Sequence, residues 1–488
     1  MSSGNSRSSV GVERPPELVV GTQGRPMGSP EPMKVAGDLL RHSFCTPSKK
    51  RGLWNYNGSY YQWYGNQWRI RDDVWLEDML WTLLEDAHCR VTTPQGEQVL
   101  RFQPNKQKVE NVSRAIAAKT KIPHSGVPVW LGHDAPFPAE RGIGFEDVVV
   151  DPKTGSVVTR TEDWFDPVTL PVAYDPEATC PLWLQSVSEW GNGDVQWGDL
   201  LQRWMGYCLM SHRKYAKWLL MYGKVRSGKG TIARVLQSLI GRDCYMGTSL
   251  DDLAGDFGLD GLEQSKVLCI SEVSELDGKQ GERATRVLKN ILGQDPITVN
   301  IKFKRQIRNV MVNAAPIVQA NEIPMLPNKG RGLSSKMLVL PFDVSFEGRE
   351  NPHLIDGLLE ELPGIASWCA EGARKIEQEM DPLKRFSMPD RASDAIRLYH
   401  IQNNPFDHFL EERFVRSPGG FVSTEMVWYQ WQDWLRVNEI RNVRVARNQI
   451  AMKIEAQSSW GVYRSRPTAD SKRGLSGLSL RKRFEEIS

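Results

Sequence analysis

The chain has 488 residues, of which 40% are hydrophobic and 25% charged, and its formal net charge is +3. These values are typical of an ordinary soluble protein with about two or three domains. No apolar run reaches the roughly 18–20 residues that a membrane span needs, and the N-terminus lacks the apolar core of a secretory signal. We therefore expect a cytoplasmic protein with no membrane partner. The seven dispersed cysteines form no C-x-x-C pair, which argues against a disulfide framework and a zinc site.

The N-terminal third contains two contrasting segments. Residues 1–45 are rich in Ser, Gly and Pro, and this composition predicts disorder. Residues 53–70, LWNYNGSYYQWYGNQWRI, alternate aromatic and polar residues around Asn57-Gly58 and Gly65-Asn66, which predicts a small β-hairpin or meander. Helical patterns follow over 75–84 and 105–119. The aromatic rows fit either a platform that stacks nucleic-acid bases or, more commonly, the core of a small sheet.

Residues 218–240, WLLMYGKVRSGKGTIARVLQSLI, predict a strand, a glycine-rich turn and a helix. This order forms a cradle for nucleotide phosphates, because the N–H groups of the loop and the positive end of the helix dipole face one anion. Lys229 would reach the β- and γ-phosphates. Gly230 stands where a Ser or Thr usually holds magnesium, and the hydroxyl comes one residue later. The residues predicted to hold the nucleotide are Gly223, Ser227, Gly228, Lys229, Gly230, Thr231 and Ile232.

Polar residues follow several later apolar strands. Residues 266–270 predict a buried strand, expected beside the strand of the phosphate loop, and Glu272 follows it. A carboxylate there is placed to bind Mg²⁺, directly or through water, and to activate attack on the γ-phosphate, with Glu275 as the second candidate. Asn321 ends another predicted strand, where its amide can bond the γ-phosphate or the attacking water. Lys336 precedes one more apolar strand.

A cationic cluster lies between these motifs. After a Gly-x-Asp-Pro turn at 293–296 come β-prone residues and then Lys302, Phe303, Lys304 and Arg305. If this segment is a hairpin, its tip carries three cations around one aromatic ring, which suits a grip on a nucleic-acid strand. The alternative is an ordinary solvated hairpin tip.

The C-terminal region is predicted to be mainly helical over 392–415, with a turn at 418–420 and a further helix over 424–437. A last helix and a β-like stretch, WGVYRSR, follow. Between 436 and 483 there are twelve Lys or Arg residues against three acids. Helices followed by a small basic hairpin predict a winged-helix module with a phosphate-backbone footprint. A solvated basic tail is the alternative.

Taken in order, these motifs resemble those of superfamily 3 helicases, and most of all the phage and plasmid primase-helicase family, which is related to the poxvirus replication ATPase. The motifs are the phosphate loop, the strand-end acid, Gly-Gln-Asp-Pro at 293–296, Asn-Glu-Ile-Pro at 321–324 and the last strand. The segments 344–376 and 164–183 are also similar to that family. The similarity covers about 50–480.

The resemblance implies an α/β fold with a P-loop (AAA+-like) ATPase domain over 185–385. A disordered arm over 1–45 and an α+β helicase-associated domain over 46–184 would precede it, and a winged-helix-like module over 386–488 would follow. Lys229 would be the phosphate lysine, Glu272 the acid beside the metal and Asn321 the sensor. The cofactors implied are ATP and Mg²⁺, the latter held by Thr231 and Glu272.

Family members form rings, usually homo-hexamers, that hydrolyse ATP at subunit interfaces and move 3′→5′ on single-stranded DNA. The implied partners are single-stranded and forked DNA and a primase or other replication proteins in a bacterial host cell. An interface arginine normally completes the neighbouring site. Lys336 takes its place here, and because lysine lacks the planar fork of arginine, Arg331 is a substitute. No zinc or paired-acid primase signature occurs, so we predict no primer synthesis.

Two rival functions remain open at this point. The first is an origin-binding replication initiator whose ATP site switches assembly with little unwinding, which the basic tail and the lysine at position 336 favour. The second is a P-loop motor that acts on protein or packages DNA. The cationic cluster at 302–305 and the family resemblance argue against the second.

Overall fold

The computed structural model describes residues 27–122, 127–132, 134–255, 258–271, 278–299, 307–324, 326, 332–403, 405–438, 440, 445–467 and 472–481. The chain divides into two compact units. The first comprises Met1–Glu140, Glu146–Val149 and Val158–Thr169, and the second comprises Arg141–Phe145, Val150–Val157 and Leu170–Ser488. None of the helices in the described ranges is long and apolar enough to cross a bilayer.

The elements up to residue 170 are short. In chain order they are α1 (Pro32–His42), β1 (Leu53–Tyr56), β2 (Ser59–Tyr64), β3 (Gln67–Arg71), α2 (Asp73–Glu85), β4 (His88–Thr93), β5 (Gly96–Arg101), α3 (Lys106–Thr120), β6 (Val129–Trp130), β7 (Ile143–Gly144), β8 (Val148–Asp151), β9 (Ser156–Thr159) and β10 (Trp164–Phe165). The predicted meander is confirmed, since β1, β2 and β3 form an antiparallel sheet in that order.

The aromatic rows of this meander form core. Tyr61 and Trp68 are buried, and both rings pack against Phe165 at centroid distances of 5.4 and 5.6 Å. The indole N–H of Trp68 donates to the carbonyl oxygen of Trp164 at 2.9 Å. Because the faces of these rings are covered by residues of the same unit, the structure supports a role in the core of the small sheet over a role in stacking nucleic-acid bases.

The prediction of disorder throughout 1–45 is wrong for its last part. Helix α1 begins with Pro32 in its first turn, a favourable place for proline. Val35, Ala36, Leu39 and Leu40 are buried on the face that packs against α3. This i, i+1, i+4, i+5 spacing is a helical stripe that the average composition of the segment conceals. Residues 1–26 lie outside the described ranges.

The second unit begins with the elements around a parallel sheet. They are α4 (Pro181–Trp190), α5 (Val195–Leu209), β11 (Trp218–Gly223), α6 (Lys229–Ile240), β12 (Tyr245–Thr248), α7 (Leu250–Leu253), β13 (Val267–Ile270), α8 (Gly278–Gly293), β14 (Ile297–Val299), β15 (Ile307–Val310), β16 (Ala315–Ala320), β17 (Met337–Phe342), α9 (Leu354–Glu360) and α10 (Leu362–Gln378). The five-stranded sheet has the order β12-β13-β16-β11-β17, and all its pairs are parallel. The fold of this part is therefore mixed α/β, as expected.

Both faces of this sheet are buried, which explains the continuous apolar runs of its strands. On one face Leu220, Val318 and Val339 join a core with Leu288 and Ile291 of α8. The intervening residues of the same strands point to the other face. All five strands end at one edge, which is the usual place for a ligand in such sheets.

The expected domain boundary at 184/185 falls inside α4. The main-chain N–H groups of Leu182 and Trp183 both donate to the carboxylate of Glu361, each at 2.9 Å. This carboxylate satisfies the first turn of α4 and ties it to the start of α10. Residues 170–184 therefore belong to the second unit. The contact with Glu361 spans almost 180 residues of sequence, so no local pattern predicts it.

The chain ends in a module with its own core. Its elements are α11 (Ala392–Asn403), α12 (Pro405–Arg413), β18 (Phe414–Ser423), α13 (Thr424–Val437), α14 (Ile450–Gln457), β19 (Tyr463–Ser465) and β20 (Gly474–Leu480). The three strands form an antiparallel sheet with β20 in the middle. The rings of Phe409, Trp431 and Trp434 pack together at its centre, with centroids 5.0–5.7 Å apart.

The prediction that a turn at 418–420 separates two elements is wrong. Strand β18 runs through the segment and stays paired with β20 on both sides of it. Arg416 pairs with Leu478 and Phe421 with Ser476, so β18 carries extra residues as a bulge. Gly419, at φ 82°, supplies the left-handed conformation that the bulge needs.

Candidate phosphate-binding site

The loop between β11 and α6 depends on two glycines. Gly223 has a φ of 140°, and a Cβ there would overlap the carbonyl oxygen of Phe342 in the neighbouring strand. Gly228 has a φ of 98°, and its Cβ would overlap the indole ring of Trp190. Only glycine fits either position, so the loop is held close to β17 and α4.

Lys229 folds back into this loop. Its Nζ donates to the carbonyl oxygens of Lys224 and Gly223 at 2.6 and 2.9 Å, and to the hydroxyl of Ser227 at 3.2 Å. The side chain is buried, and this burial lowers the pKa of its amino group to about 8. The ammonium group is thus held at the centre of the loop by uncharged oxygens, which a phosphate oxygen could replace.

A cavity of about 340 Å³ opens in front of the loop, at the carboxyl edge of the sheet. It brings five residues of the predicted phosphate loop together with Asn321, which follows β16. The parallel register pairs Tyr222 with Ala320, and this places the end of β16 beside the loop. The residues that line the cavity are Val225, Arg226, Ser227, Gly228, Lys229, Gly230, Thr231, Arg234, Gln319 and Asn321.

Three predicted site residues do not line this cavity. Gly223 contributes only its carbonyl oxygen to Lys229. Ile232 is buried in the core, and its N–H donates to the carbonyl oxygen of Gly228 at 3.0 Å. Lys336 lies at the opposite edge of the sheet, since it precedes Met337, the partner of Trp218, and its Nζ donates to the carbonyl oxygen of Leu292 at 3.3 Å.

Seven candidates lie outside the described residues: Glu272, Glu275, Lys302, Phe303, Lys304, Arg305 and Arg331. Their flanking elements are described. Strand β13 ends at Ile270, and β14 and β15 pair as an antiparallel hairpin whose connection is 300–306. The hairpin predicted around the cationic cluster is therefore confirmed in its two strands.

The expectation that β13 lies beside β11 is wrong. Strand β16 lies between them and pairs in parallel with both. After β13 the chain passes through α8 and the β14–β15 hairpin before it returns as β16. Consecutive strands are often but not always neighbours, because a long crossover can return to any vacant position. The strand with the polar amides is consequently closer to the loop than the strand before Glu272.

The sequence reasoning missed Arg226, Arg234 and Gln319. Arg226 lies at the loop tip, where its guanidinium pairs with the carboxylate of Glu350. Its carbonyl oxygen accepts the N–H of Phe346 at 2.9 Å. The spacing of Gln319 and Asn321 was a usable signal for Gln319, because residues two apart on a strand share a face.

The cavity suits a polyanion. Arg226, Lys229 and Arg234 line it, and no acidic side chain occurs among its described lining residues. The N-terminus of α6 points into the same space, so that the loop N–H groups and the helix dipole favour negative charge. The hydroxyl groups of Ser227 and Thr231 are candidate magnesium ligands on this wall, and a Cβ added at Gly230 would meet no atom within 4 Å.

A family of unknown function (DUF5906) matches residues 221–332, less than half of the chain. No curated protein matches. Two solved structures of the NrS-1 C-terminal region in its A apo form have 14% and 12% identity, TM-scores of 0.46 and 0.47, and coverage of 84% and 88% of this chain and 84% and 96% of theirs. A third apo structure of that region has 14% identity, a TM-score of 0.45, and coverage of 83% and 99%.

Proposed function

We propose that the chain is an ATP-dependent DNA helicase that acts in the replication of a phage, plasmid or integrated element. The observation that supports this proposal most strongly is the cavity in which the glycine loop, Lys229 and Asn321 meet at the carboxyl edge of a parallel sheet. A cavity with three cations and the amide of Asn321 fits the triphosphate of ATP. The helicase motif order supports the finer assignment.

In this proposal each group at the cavity has one task. Lys229 exchanges its bonds to the loop carbonyls for bonds to the β- and γ-phosphates. The N–H groups of the loop bind the remaining phosphate oxygens, and the amide of Asn321 senses whether the γ-phosphate is present. Thr231 and Glu272 would hold Mg²⁺, which neutralises charge on the phosphates.

The β14–β15 hairpin is proposed to contact DNA. The segment that joins its two strands contains Lys302, Phe303, Lys304 and Arg305. Cations and a ring at the end of a hairpin can bind the phosphates and one base of a single strand. In a homo-hexameric ring the hairpins of all subunits would face one channel, and ATP turnover would move them along the strand in the 3′→5′ direction that the family resemblance implies.

The ATPase assignment is tested by Lys229→Ala. We expect this variant to lose ATP turnover, because the ammonium group that stabilises charge on the γ-phosphate is gone. The matched control is Lys384→Ala, since Lys384 is an exposed lysine of the same unit that does not line the cavity. Phosphate release is the measurement. A Lys229→Ala protein with wild-type turnover would refute the proposal.

The DNA contact is tested by the double variant Lys302→Ala, Lys304→Ala. The measurement is the ratio of ATP turnover with and without single-stranded DNA. We expect this ratio to fall toward one, because the strand no longer engages the hairpin. An unchanged ratio would place the DNA contact elsewhere.

The alternative function is an origin-binding initiator, and the C-terminal module favours it. Its order of two helices, a strand, two helices and two strands, with β20 in the middle of the sheet, supports a winged-helix-like module. Arg447, Arg464 and Arg473 are exposed on it. Strand displacement on a forked duplex separates the two functions: a helicase releases the strand with ATP, whereas an initiator binds duplex DNA in an ATP-dependent way and releases little.

A further inference from the structure

A row of three side chains crosses three adjacent strands and ends in the cavity. The row consists of Tyr245 of β12, Cys269 of β13 and Gln319 of β16. The Nε2 group of Gln319 donates to the sulfur of Cys269 at 3.1 Å. The side chain of Tyr245 interacts with the same thiol group. Cys269 itself is buried.

The sheet register explains how these three side chains meet. Tyr245 is opposite Val267, and Cys269 is opposite Ile317. Cys269 therefore lies two residues beyond the partner of Tyr245, and Gln319 lies two residues beyond the partner of Cys269, in both cases toward the carboxyl edge. Residues two apart share a face, so the line rises diagonally on one face until it reaches Gln319 at the cavity.

The hydrogen bond to sulfur fixes which end of the Gln319 amide faces the cavity. Because the nitrogen end donates to Cys269, the Oε1 atom is left as an acceptor. The lysine and the two arginines at the cavity are donors only. An acceptor among donors does not suit phosphate oxygens, which are acceptors themselves. It suits a water molecule, which can donate to the amide oxygen.

The position also argues against a purely structural amide. The other residues of β16 are Ala, Pro, Ile and Val, and an apolar side chain would continue that pattern. Thioether and thiol sulfur are weak acceptors, so the bond to Cys269 offsets little of the cost of partly burying an amide. A group that gains little for stability at the edge of a cavity is a candidate for function.

We infer that Gln319 orients the water that attacks the γ-phosphate, and that Cys269 and Tyr245 are positioning residues that hold its amide. This inference rests on the proposed ATPase function. The water oxygen bonds to the γ-phosphorus while the bond from that phosphorus to the leaving oxygen of ADP breaks. The water proton passes to a carboxylate, for which Glu272 is the proposed group. Gln319 accepts a hydrogen bond from the water and takes no proton.

The first experiment is Gln319→Met, which keeps the length of the side chain and removes the amide. We expect kcat to fall by about 100-fold, the scale of losing one oriented group at the reacting centre. The Kd of a non-hydrolysable ATP analogue should change by less than about threefold, because the amide oxygen does not hold the phosphates. The matched control is Gln237→Met on α6, a partly buried glutamine outside the cavity.

Two outcomes overturn the inference. If kcat of Gln319→Met stays within about twofold of the wild type, no water depends on the amide. If the Kd of the analogue rises by about the same factor as kcat falls, Gln319 binds the nucleotide or stabilises the fold instead. A kcat effect without a Kd effect supports the inference.

The second experiment tests the positioning residues in a double-mutant cycle. Cys269→Ala and Tyr245→Phe should each lower kcat by about tenfold in the wild-type background, because each holds the amide that orients the water without touching the water itself. Neither should lower kcat further in the Gln319→Met background, because the oriented amide is already absent. If the losses in kcat add in full, the two residues act through the stability of the fold and do not position the Gln319 amide.

Matched controls exist for both positioning variants. Cys369→Ala removes the same atom from another buried thiol, and Tyr399→Phe removes a buried hydroxyl that has no hydrogen-bond partner in the described part of the chain. Neither residue lines the cavity. Cys269→Ser keeps an acceptor and should restore most of the turnover lost in Cys269→Ala.

The inference and the proposed function fail in different ways. Turnover that survives Lys229→Ala defeats the ATPase assignment and the inference with it. Turnover that is lost in Lys229→Ala but kept in Gln319→Met defeats the inference alone.

Discussion

The two edges of the five-stranded sheet both carry buried cations, and they use them differently. At the amino edge the guanidinium of Arg213 is buried and donates to the carbonyl oxygens of Tyr207, Met210 and Lys266 at 3.0, 2.8 and 3.0 Å. At the carboxyl edge Lys229 also donates to main-chain carbonyls. A cavity lies in front of Lys229, and Arg213 is not among the described residues that line it. Burial and hydrogen bonding alone therefore do not separate a structural cation from a functional one.

Helix polarity gives the physical reason for this difference. Arg213 follows the C-terminus of α5, where unpaired carbonyl oxygens attract a cation. Lys229 opens α6, where free N–H groups attract an anion and leave the lysine exchangeable. The amino edge is thus closed by its own cations, and the carboxyl edge remains available for a ligand.

The largest effect that tests this contrast is on stability. We expect Arg213→Met to lower the free energy of unfolding by roughly 3–5 kcal/mol, since several buried carbonyl oxygens lose their donor at once. Lys229→Met should change it by less than about 1 kcal/mol, because water in the adjoining cavity can donate to the loop carbonyl oxygens that lose their donor. Denaturant unfolding measures both. Equal losses in the two variants would remove the distinction between the edges.

The second prediction compares two glycines of the phosphate loop. Gly228→Ala should weaken ATP binding by about 100-fold or more, because the new Cβ overlaps Trp190 and the backbone has a left-handed φ. Gly230→Ala should weaken it by less than about threefold, since nothing lies within 4 Å of its Cβ and the N–H group is kept. Titration with a fluorescent ATP analogue is the measurement. A severe defect in Gly230→Ala would contradict the geometry.

Local features of the sequence predicted local structure well. The helix predicted over 424–437 has those bounds, and the meander, the helix after the phosphate loop and the β14–β15 hairpin were all expected. Each of these depends on patterns within about 20 residues, where spacing of apolar residues and turn-forming pairs determine the outcome.

The errors concern relations between distant segments. Nothing in the local pattern of β16 tells that it returns between β11 and β13, and this placement made Gln319 part of the cavity. The binding of α4 by Glu361 and the burial of α1 depend likewise on tertiary contacts. Within the strand, the two-residue spacing of Gln319 and Asn321 does indicate a shared face, because side chains alternate along a strand.

The third prediction sharpens the contrast through pH. Burial holds the pKa of Lys229 at about 8 in the free protein, so the amine is charged below that pH and neutral above it. Bound phosphate favours the charged form and raises this pKa. The Kd for ATP should therefore be flat between about pH 7 and 7.5 and rise up to tenfold per pH unit above about pH 8.

The control for this pH dependence is Lys229→Arg, because a guanidinium stays charged throughout the range. Its Kd, although different in size, should show no inflection near pH 8. If the wild-type Kd stays level up to pH 9.5, Lys229 remains charged throughout the range and burial does not lower its pKa.

The smallest effect on the cavity is expected from Lys336, which lies at the amino edge. Lys336→Ala should change the Kd for ATP by less than about twofold, because the side chain does not line the cavity of its own chain. If Lys336 completes the site of a neighbouring subunit, turnover falls nevertheless, since the missing charge stabilises the transition state in trans. Affinity and turnover therefore separate in this variant.

Mixing two inactive proteins decides whether Lys336 acts on a neighbour. A Lys336→Ala subunit keeps Lys229 in its own cavity, and a Lys229→Ala subunit keeps Lys336 for the next subunit. A mixed assembly would then contain complete sites, and its turnover should exceed that of either variant alone. Lys217→Ala replaces Lys336→Ala in the control mixture, because Lys217 occupies the same edge and donates to the carbonyl oxygen of Ser335. If the Lys336→Ala mixture recovers no turnover, a group other than Lys336 completes the site.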